Sequence, residues 1–305
     1  MQTRLARLGR PAAAVVAVLG VLAAAPAPVG RMSTVRLIVT AADTETAASA
    51  VRSVGGRVLN ELTVLGGVVA DVPAGVGLPA GVGSSPDRKV SLRSTDTDSA
   101  DAASSVRATL GLDAGGNEGA GITVAVVDTG VADVADLAAA VEHVNLTGGA
   151  AGDGYGHGTF MAGLIAGSGA SSGGAFRGVA PGARILDVKV ADNAGNTSLV
   201  TVLRGLEVVA AHPEVRVLNL SLSSDSPLPY QADPLTRMLD VLWARGVVVV
   251  VPAGNDGPDS GTVTSPGTDP NLLTVGGLDE AATGDRSDDT IGPWSSRGPA
   301  PQGVD

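Results

Sequence analysis

Apolar and polar positions along this 305-residue chain fall into short segments of two alternating kinds. Val35–Thr40 (VRLIVT) is rich in β-branched residues and predicts a strand, and Thr44–Val54 predicts a helix. Val58–Val64 and Val68–Val72 predict two more strands around the turn Gly66-Gly67. This β-α-β-β unit spans about 40 residues, too few for a comfortable independent core. Residues 84–118 trade apolar positions for Ser, Asp, Thr and Gly and read as a linker.

A second pattern opens near Gly119. Continuous apolar runs at Ile122–Val127, Arg184–Val190, Val215–Leu222, Val247–Val251 and Leu272–Gly276 predict strands. Between them, His157–Gly167 reads as a small-residue helix, and Leu199, Leu203, Leu206 and Ala210 share one helical face. Asp233-Pro234 supplies an N-cap and a first-turn proline for a helix that points Leu235, Met238, Leu239 and Leu242 inward, and Gly246 closes it. Apolar strands alternating with amphipathic helices predict an α/β fold, a doubly wound and mostly parallel sheet covered by helices on both faces. Such sheets bind ligands beyond the carboxyl ends of their strands. Function is to be sought there.

Composition narrows the chemistry. Hydrophobic residues at 44% with only 17% charged exclude wholesale disorder, and 2% aromatics leave Ala, Val and Leu to build the core. The absence of Cys removes disulfides, thiolate metal sites and a Cys nucleophile. A net charge of −11 argues against nucleic acid, whose phosphates demand clustered Lys and Arg. At the N-terminus, Arg4, Arg7 and Arg10 precede an apolar run, Pro11–Ala25, and Ala25-Pro26-Ala27 offers a cleavage site. Residues 1–27 therefore read as a secretory signal, which predicts export.

Three of the apolar strands run into candidate chemistry: Asp128-Thr129-Gly130, then Ser221-Leu222-Ser223-Ser224, then Ala253-Gly254-Asn255-Asp256-Gly257. A fourth feature, Gly156-His157-Gly158-Thr159, opens a helix after a glycine-rich loop. An acid, an imidazole and a carboxamide can thus converge on one crevice, parts that serve acyl transfer from a hydroxyl nucleophile. His143 and His212 lack such settings and read as surface or helix-end residues.

Together VAVVDTGV (124–131), GHGTFMAGLIAG (156–167), VLNLSLSS (217–224), PAGNDG (252–257) and WSSRGP (294–299) resemble, in order and spacing, the successive blocks of the subtilisin-like serine proteases. The resemblance covers 119–305, and residues 32–83 resemble the family's propeptide, which chaperones folding and caps the active site. It implies that Asp128 orients His157, that His157 is the general base and that Asn255 donates to the oxyanion. Ser221, Leu222, Ser223, Ala253 and Gly254 would wall the primary specificity pocket. Gly195 would lie in the loop that pairs with an extended peptide substrate. The implied partners are polypeptide substrates and the chain's own propeptide as an intramolecular inhibitor, with a maturation site within 84–118. No cofactor is required; structural calcium is common in the family, with no ligands readable here.

One block is absent. The family's nucleophile lies in a G-T-S-M-A block beyond S-S-R-G-P, and no such block occurs before Asp305. Gly158-Thr159-Phe160-Met161-Ala162 belongs to the histidine block and carries Phe at the critical place. Residues 119–305 are thus expected to be an incomplete catalytic domain whose serine lies beyond the chain, leaving apolar surface uncovered. A non-catalytic secreted binding protein on the same scaffold is the alternative. Two departures are minor: Phe160 stands where the family usually has His, and Ser223 where Gly is common.

Overall fold

The computed structural model describes residues 33–92, 105–112, 116, 118–137, 141–281 and 283–300. The expected signal segment 1–27 and the 93–104 stretch of the expected linker lie outside the described residues.

The N-terminal unit consists of β1 (Thr34–Thr40), α1 (Thr44–Ser53), β2 (Arg57–Leu62), β3 (Gly67–Pro73) and β4 (Gly83–Pro86). The strands form an antiparallel sheet in the order β2-β3-β1-β4. Asp43 starts α1 by accepting the Thr46 N–H at 2.7 Å, and Ala47, Ala48 and Val51 pack on Val39, Val68 and Ala70. Alternation then turns Ile38, Leu62 and Val69 to the opposite face, where they join the main core. β2 stops at Leu62, short of the expected Val64, because the chain turns there: Val64 N–H and the Thr63 hydroxyl both donate to Glu207, at 2.8 Å each.

Then come β5 (Lys89–Leu92), α2 (Ser105–Thr109), β6 (Thr123–Asp128), β7 (Val141–Asn145), α3 (His157–Ala166), β8 (Arg184–Lys189), β9 (Asn196–Ser198) and α4 (Leu199–Ala210). They are followed by β10 (Val215–Asn219), β11 (Leu222–Ser223), α5 (Pro234–Ala244), β12 (Val248–Pro252) and β13 (Leu273–Val275). Six strands pair in parallel in the order β13-β12-β10-β6-β8-β7. Packing of α4 and α5 on one face buries Leu203, Leu206, Leu235, Met238 and Leu239 against Val249, Val251 and Leu218. On the other face, α3 covers Val124, Val126 and Ile185. The fold is the α/β arrangement the pattern predicted.

Two stretches depart from the reading. The run Val215–Leu222 is not one strand: the parallel ladder ends at Asn219, and Leu222–Ser223 pairs antiparallel with β5 in a separate three-stranded sheet, β11-β5-β9. Residues 84–92, polar enough to read as linker, contribute to three ladders, with Ser84 and Ser85 opposite Val39 and Ile38 and β5 between β9 and β11. Backbone N–H and C=O groups pair whatever the side-chain polarity, so composition misses such strands.

Part of the second face has no covering element among the described residues. Val248, Leu273 and Val275 are 43%, 49% and 48% exposed, and the register of β10, β12 and β13 puts them on the face that α3 covers further along. On α3 itself, Phe160 and Leu164, one turn apart, are also exposed.

Just before β13, Asp269 is 1% exposed, and its Oδ2 has no hydrogen-bond partner among the described residues. Burial, with repulsion from Asp240, pushes its carboxyl up to about 6, against the pull of the Asn271 N–H on Oδ1. The folded state therefore holds this proton more tightly than the unfolded chain. The associated stability is full below about pH 4 and is lost as pH rises to about 6, a loss on the order of 2 kcal/mol. Asp269→Asn is expected to remove that slope and raise the melting temperature at pH 8 by roughly 4–8 °C. Thermal melts of both proteins from pH 4 to 8 check it; parallel curves would contradict it.

Candidate active site

Asp128 ends β6 fully buried, and its backbone oxygen is held by the N–H groups of Val190 and Ala191, at 2.8 and 3.2 Å. Its side chain receives three groups. Thr129 donates its N–H to Oδ1 at 2.7 Å and its hydroxyl to the same oxygen at 3.2 Å. His157 Nδ1 lies 2.8 and 2.9 Å from the two carboxylate oxygens. With Asp128 ionised, this contact puts the His157 proton on Nδ1 and makes Nε2 the basic nitrogen.

His157 is the first residue of α3, reached through Gly156 at φ +96°, a backbone state that favours glycine. The following glycine matters more. A Cβ on Gly158 would stand 2.2 Å from the Gly130 carbonyl oxygen, so only glycine lets α3 sit directly on the Asp128 loop. Its N–H completes the link by donating to Thr129 Oγ1 at 2.9 Å. Asp153 anchors the same helix start, accepting from the N–H groups of Gly156 and Thr159 at 2.7 and 2.9 Å and from the Thr159 hydroxyl at 2.7 Å. Burial alone would push its carboxyl up; the bonds from Thr159 and Gly156 outweigh it and hold it below the usual range.

Beneath the loop, the buried Lys189 ammonium donates to Thr129 O and, at 3.0 Å, to Asn193 Oδ1. Asp187 Oδ2 accepts the Val131 N–H at 3.0 Å and lies 2.8 Å from His143 Nδ1. His143, read from sequence as a surface residue, is half-exposed on β7 and pairs with this buried carboxylate. Burial pushes the Asp187 carboxyl up despite the His143 bond.

The other predicted residues lie at the same edge of the sheet, because β6, β10 and β12 run parallel and side by side. Ala253, Gly254 and Asn255 follow β12, with Gly254 at φ +115°. The Ser-Ser-Arg block braces them: Ser296 donates its N–H to Gly254 O at 3.0 Å, and its hydroxyl accepts the Asp256 N–H at 3.1 Å. Ser221 sits between β10 and β11 and accepts a bond from Asn219 at 3.0 Å; Leu222 and Ser223 form β11. Gly195, at φ +75°, turns the chain into β9 beside the Tyr155 ring. β9 and β11 form the two walls of a slot, and β5 occupies it, with Lys89, Val90 and Ser91 opposite Ser198, Thr197 and Asn196, and Leu92 opposite Leu222.

Three residues around this slot escape sequence reasoning as site residues. Arg88, next to β5, places Nη2 2.7 and 2.8 Å from the oxygens of the fully buried Asp233, which also takes the Ser265 hydroxyl at 2.8 Å. Asp233 is legible only as the N-cap of α5, and nothing local in the sequence ties it to residue 88.

For a metal, the described residues offer one group of three side chains with ligating atoms within 4.8 Å of each other: Glu142, His212 and Glu214. These stand at the amino ends of β7 and β10, away from Asp128. Calcium takes six or more oxygens. Among the described residues no three carboxylates converge, and this group contributes an imidazole instead.

A family model described as the subtilase family, peptidase S8, matches residues 119–304. Serine protease AprX of Bacillus subtilis (strain 168) is 41% identical over 198 residues, 61% of this chain and 44% of AprX. Subtilisin Savinase of Lederbergia lenta is 37% identical over 173 residues, 54% of this chain and 58% of Savinase. The chain thus spans about half the length of the curated relatives it matches. Among solved structures, sphericase superposes with a TM-score of 0.56 at 27% identity, over 66% of this chain and 68% of its own. Fervidolysin of Fervidobacterium pennivorans gives 0.65 over 88% of this chain and 46% of its own; at 23% identity it bears on the fold alone. With its Asp, His and Asn blocks standing at the carboxyl edge of a six-stranded parallel sheet, this chain belongs to the subtilase family of serine proteases.

Proposed function

We propose that the chain is the leader and most of the catalytic domain of an exported serine endopeptidase, whose nucleophile lies in a segment beyond residue 305. One observation carries the reading: the buried Asp128 carboxylate grips His157 Nδ1 at the open carboxyl edge of the sheet. Nε2 of His157 takes the proton of the serine hydroxyl as its oxygen bonds the scissile carbonyl carbon. That proton then passes to the leaving amine, and a water repeats the sequence to free the acyl group. Asp128 stabilises the imidazolium formed at each step. Asn255 donates its side-chain N–H to the oxyanion, and Ser221, Leu222, Ser223, Ala253 and Gly254 shape the adjoining side-chain pocket.

The leader reading, inhibitory propeptide over 32–83 and maturation within 84–118, is supported by β5. It fills the slot between β9 and β11 as an extended substrate would, by β-augmentation. Gly195 turns the chain into one wall of that slot. The uncovered apolar face along β12 and β13 supports a further packed element carrying the serine. Export rests on the signal pattern of residues 1–27, and a structural calcium ion is proposed from family membership alone.

The test is labelling of the full-length gene product by a fluorophosphonate probe. A single modified serine downstream of residue 305, lost in His157→Ala, is the expected result. A folded full-length protein that takes up no probe would overturn the proposal and favour a non-catalytic binder.

A further inference from the structure

The ladder that holds β5 does not begin at Lys89. Arg88 contributes its carbonyl oxygen, which accepts the Leu199 N–H at 2.9 Å, so the extended run includes Arg88. A peptide in the same register brings the residue four positions before that of Leu92 to this place. Its side chain meets a pocket built by the catalytic region alone. Asp233 is fully buried at the start of α5, while Ser224 and Ser265 are 3% and 6% exposed.

Among the described residues, every polar contact of the guanidinium outside its own segment falls on this pocket. Nη2 reaches both Asp233 oxygens, and Nε and Nη2 each lie 3.3 Å from Ser224 Oγ. The remaining contact, Nη1 to Ser85 Oγ at 3.5 Å, is with the leader itself. Withdrawal of Arg88 would leave Asp233 with the Leu235 N–H and the Ser265 hydroxyl and, among the described residues, with no cation in direct contact. A buried carboxylate in that condition is costly, and a cationic side chain entering in the same register relieves the cost. The two-point approach to Ser224 and Asp233 uses a planar group with several donors, which arginine has and lysine lacks.

We propose that Asp233, Ser224 and Ser265 form a guanidinium-binding subsite, filled by Arg88 in the unprocessed chain and by a substrate arginine in the processed enzyme. This rests on reading β5 as an occupant of the substrate slot. The substrate class it names is polypeptides with Arg upstream of the cleaved bond, in the register of Arg88.

The test uses the processed full-length enzyme and internally quenched peptides copying residues 86–97, with position 88 as Arg, citrulline or Ala. Citrulline keeps the shape of arginine and removes the charge. Expected is a kcat/KM at least tenfold higher for Arg than for citrulline, carried mainly by KM. In Asp233→Asn, which keeps an N-capping oxygen, that ratio should fall to about one; Ser265→Ala should lower it severalfold. Cleavage of all three peptides at equal kcat/KM overturns the subsite and leaves the protease reading standing. Cleavage of none of them by an enzyme that the fluorophosphonate labels overturns the subsite alone; no cleavage together with no labelling overturns the protease reading, and the subsite with it.

Discussion

Asp128→Asn in the full-length protein should lower kcat by about 10⁴, and His157→Ala by about 10⁶, with KM for a peptide substrate nearly unchanged. These magnitudes are those measured for the corresponding groups in serine proteases, subtilisin of this same family among them. The geometry explains why a substitution that removes one charge and almost no volume costs so much. Both Asp128 oxygens lie within 2.9 Å of His157 Nδ1. Oδ1 also takes two bonds from Thr129, which fixes the carboxylate plane. An amide nitrogen turned toward Nδ1 donates where the carboxylate accepts. The ring then moves its proton to Nε2, the nitrogen that must act as base. Single-turnover kinetics on the purified variants read the chemical step directly, and unchanged circular dichroism excludes unfolding. A loss below about tenfold in Asp128→Asn would remove Asp128 from the proposed catalytic machinery.

The second large effect concerns the unprocessed chain. In a His157→Ala background, in which the proposed leader is expected to stay attached, Arg88→Ala should destabilise the protein by about 3–5 kcal/mol, the range for breaking a buried ion pair from one side. The Arg88 and Asp233 side chains are 13% and 0% exposed, so solvent screens the pair little. Most of the cost comes from the carboxylate left behind rather than from the lost attraction. Asp233→Asn on top of Arg88→Ala should therefore recover most of the stability, a coupling that a surface bridge does not produce. Denaturant titration of the two single variants and the double variant measures it. A loss below about 1 kcal/mol for Arg88→Ala would mean that the pair behaves as a solvated bridge, and that Asp233 has no need of a cation in this place.

Much of the architecture was legible because the relevant forces are local or periodic. Five consecutive Val before Pro252 favour a buried strand, because β-branched side chains suit a pleated surface better than a helix, and β12 is one. Leu235, Met238, Leu239 and Leu242 recur at helical spacing, and all four are buried on α5. Gly158 was legible as part of a motif, and the structure supplies its reason, a carbonyl oxygen where a Cβ would stand. The misreadings share one cause. Ser84–Leu92 looked like a linker because polar residues dominate it, yet its pairing partners lie in β1, β9 and β11, more than a hundred residues away in the last two cases. Leu220 and Ser221 looked like more of β10 because hydropathy does not report where a strand leaves its sheet.

By itself, the amino-acid sequence determined the alternation of strand and helix, the acid, imidazole and carboxamide at the strand ends, and the leader-like unit ahead of them. Each of these depends on residue type and short-range spacing. Only the tertiary structure decided which side chains meet where no motif joins them: Glu207 with Thr63 and, above all, Arg88 with Asp233. A buried charge takes its partner from whatever the fold brings within about 3 Å, and the antiparallel ladder of β5 with β9 and β11 sets that distance for Arg88 without leaving a trace in local sequence.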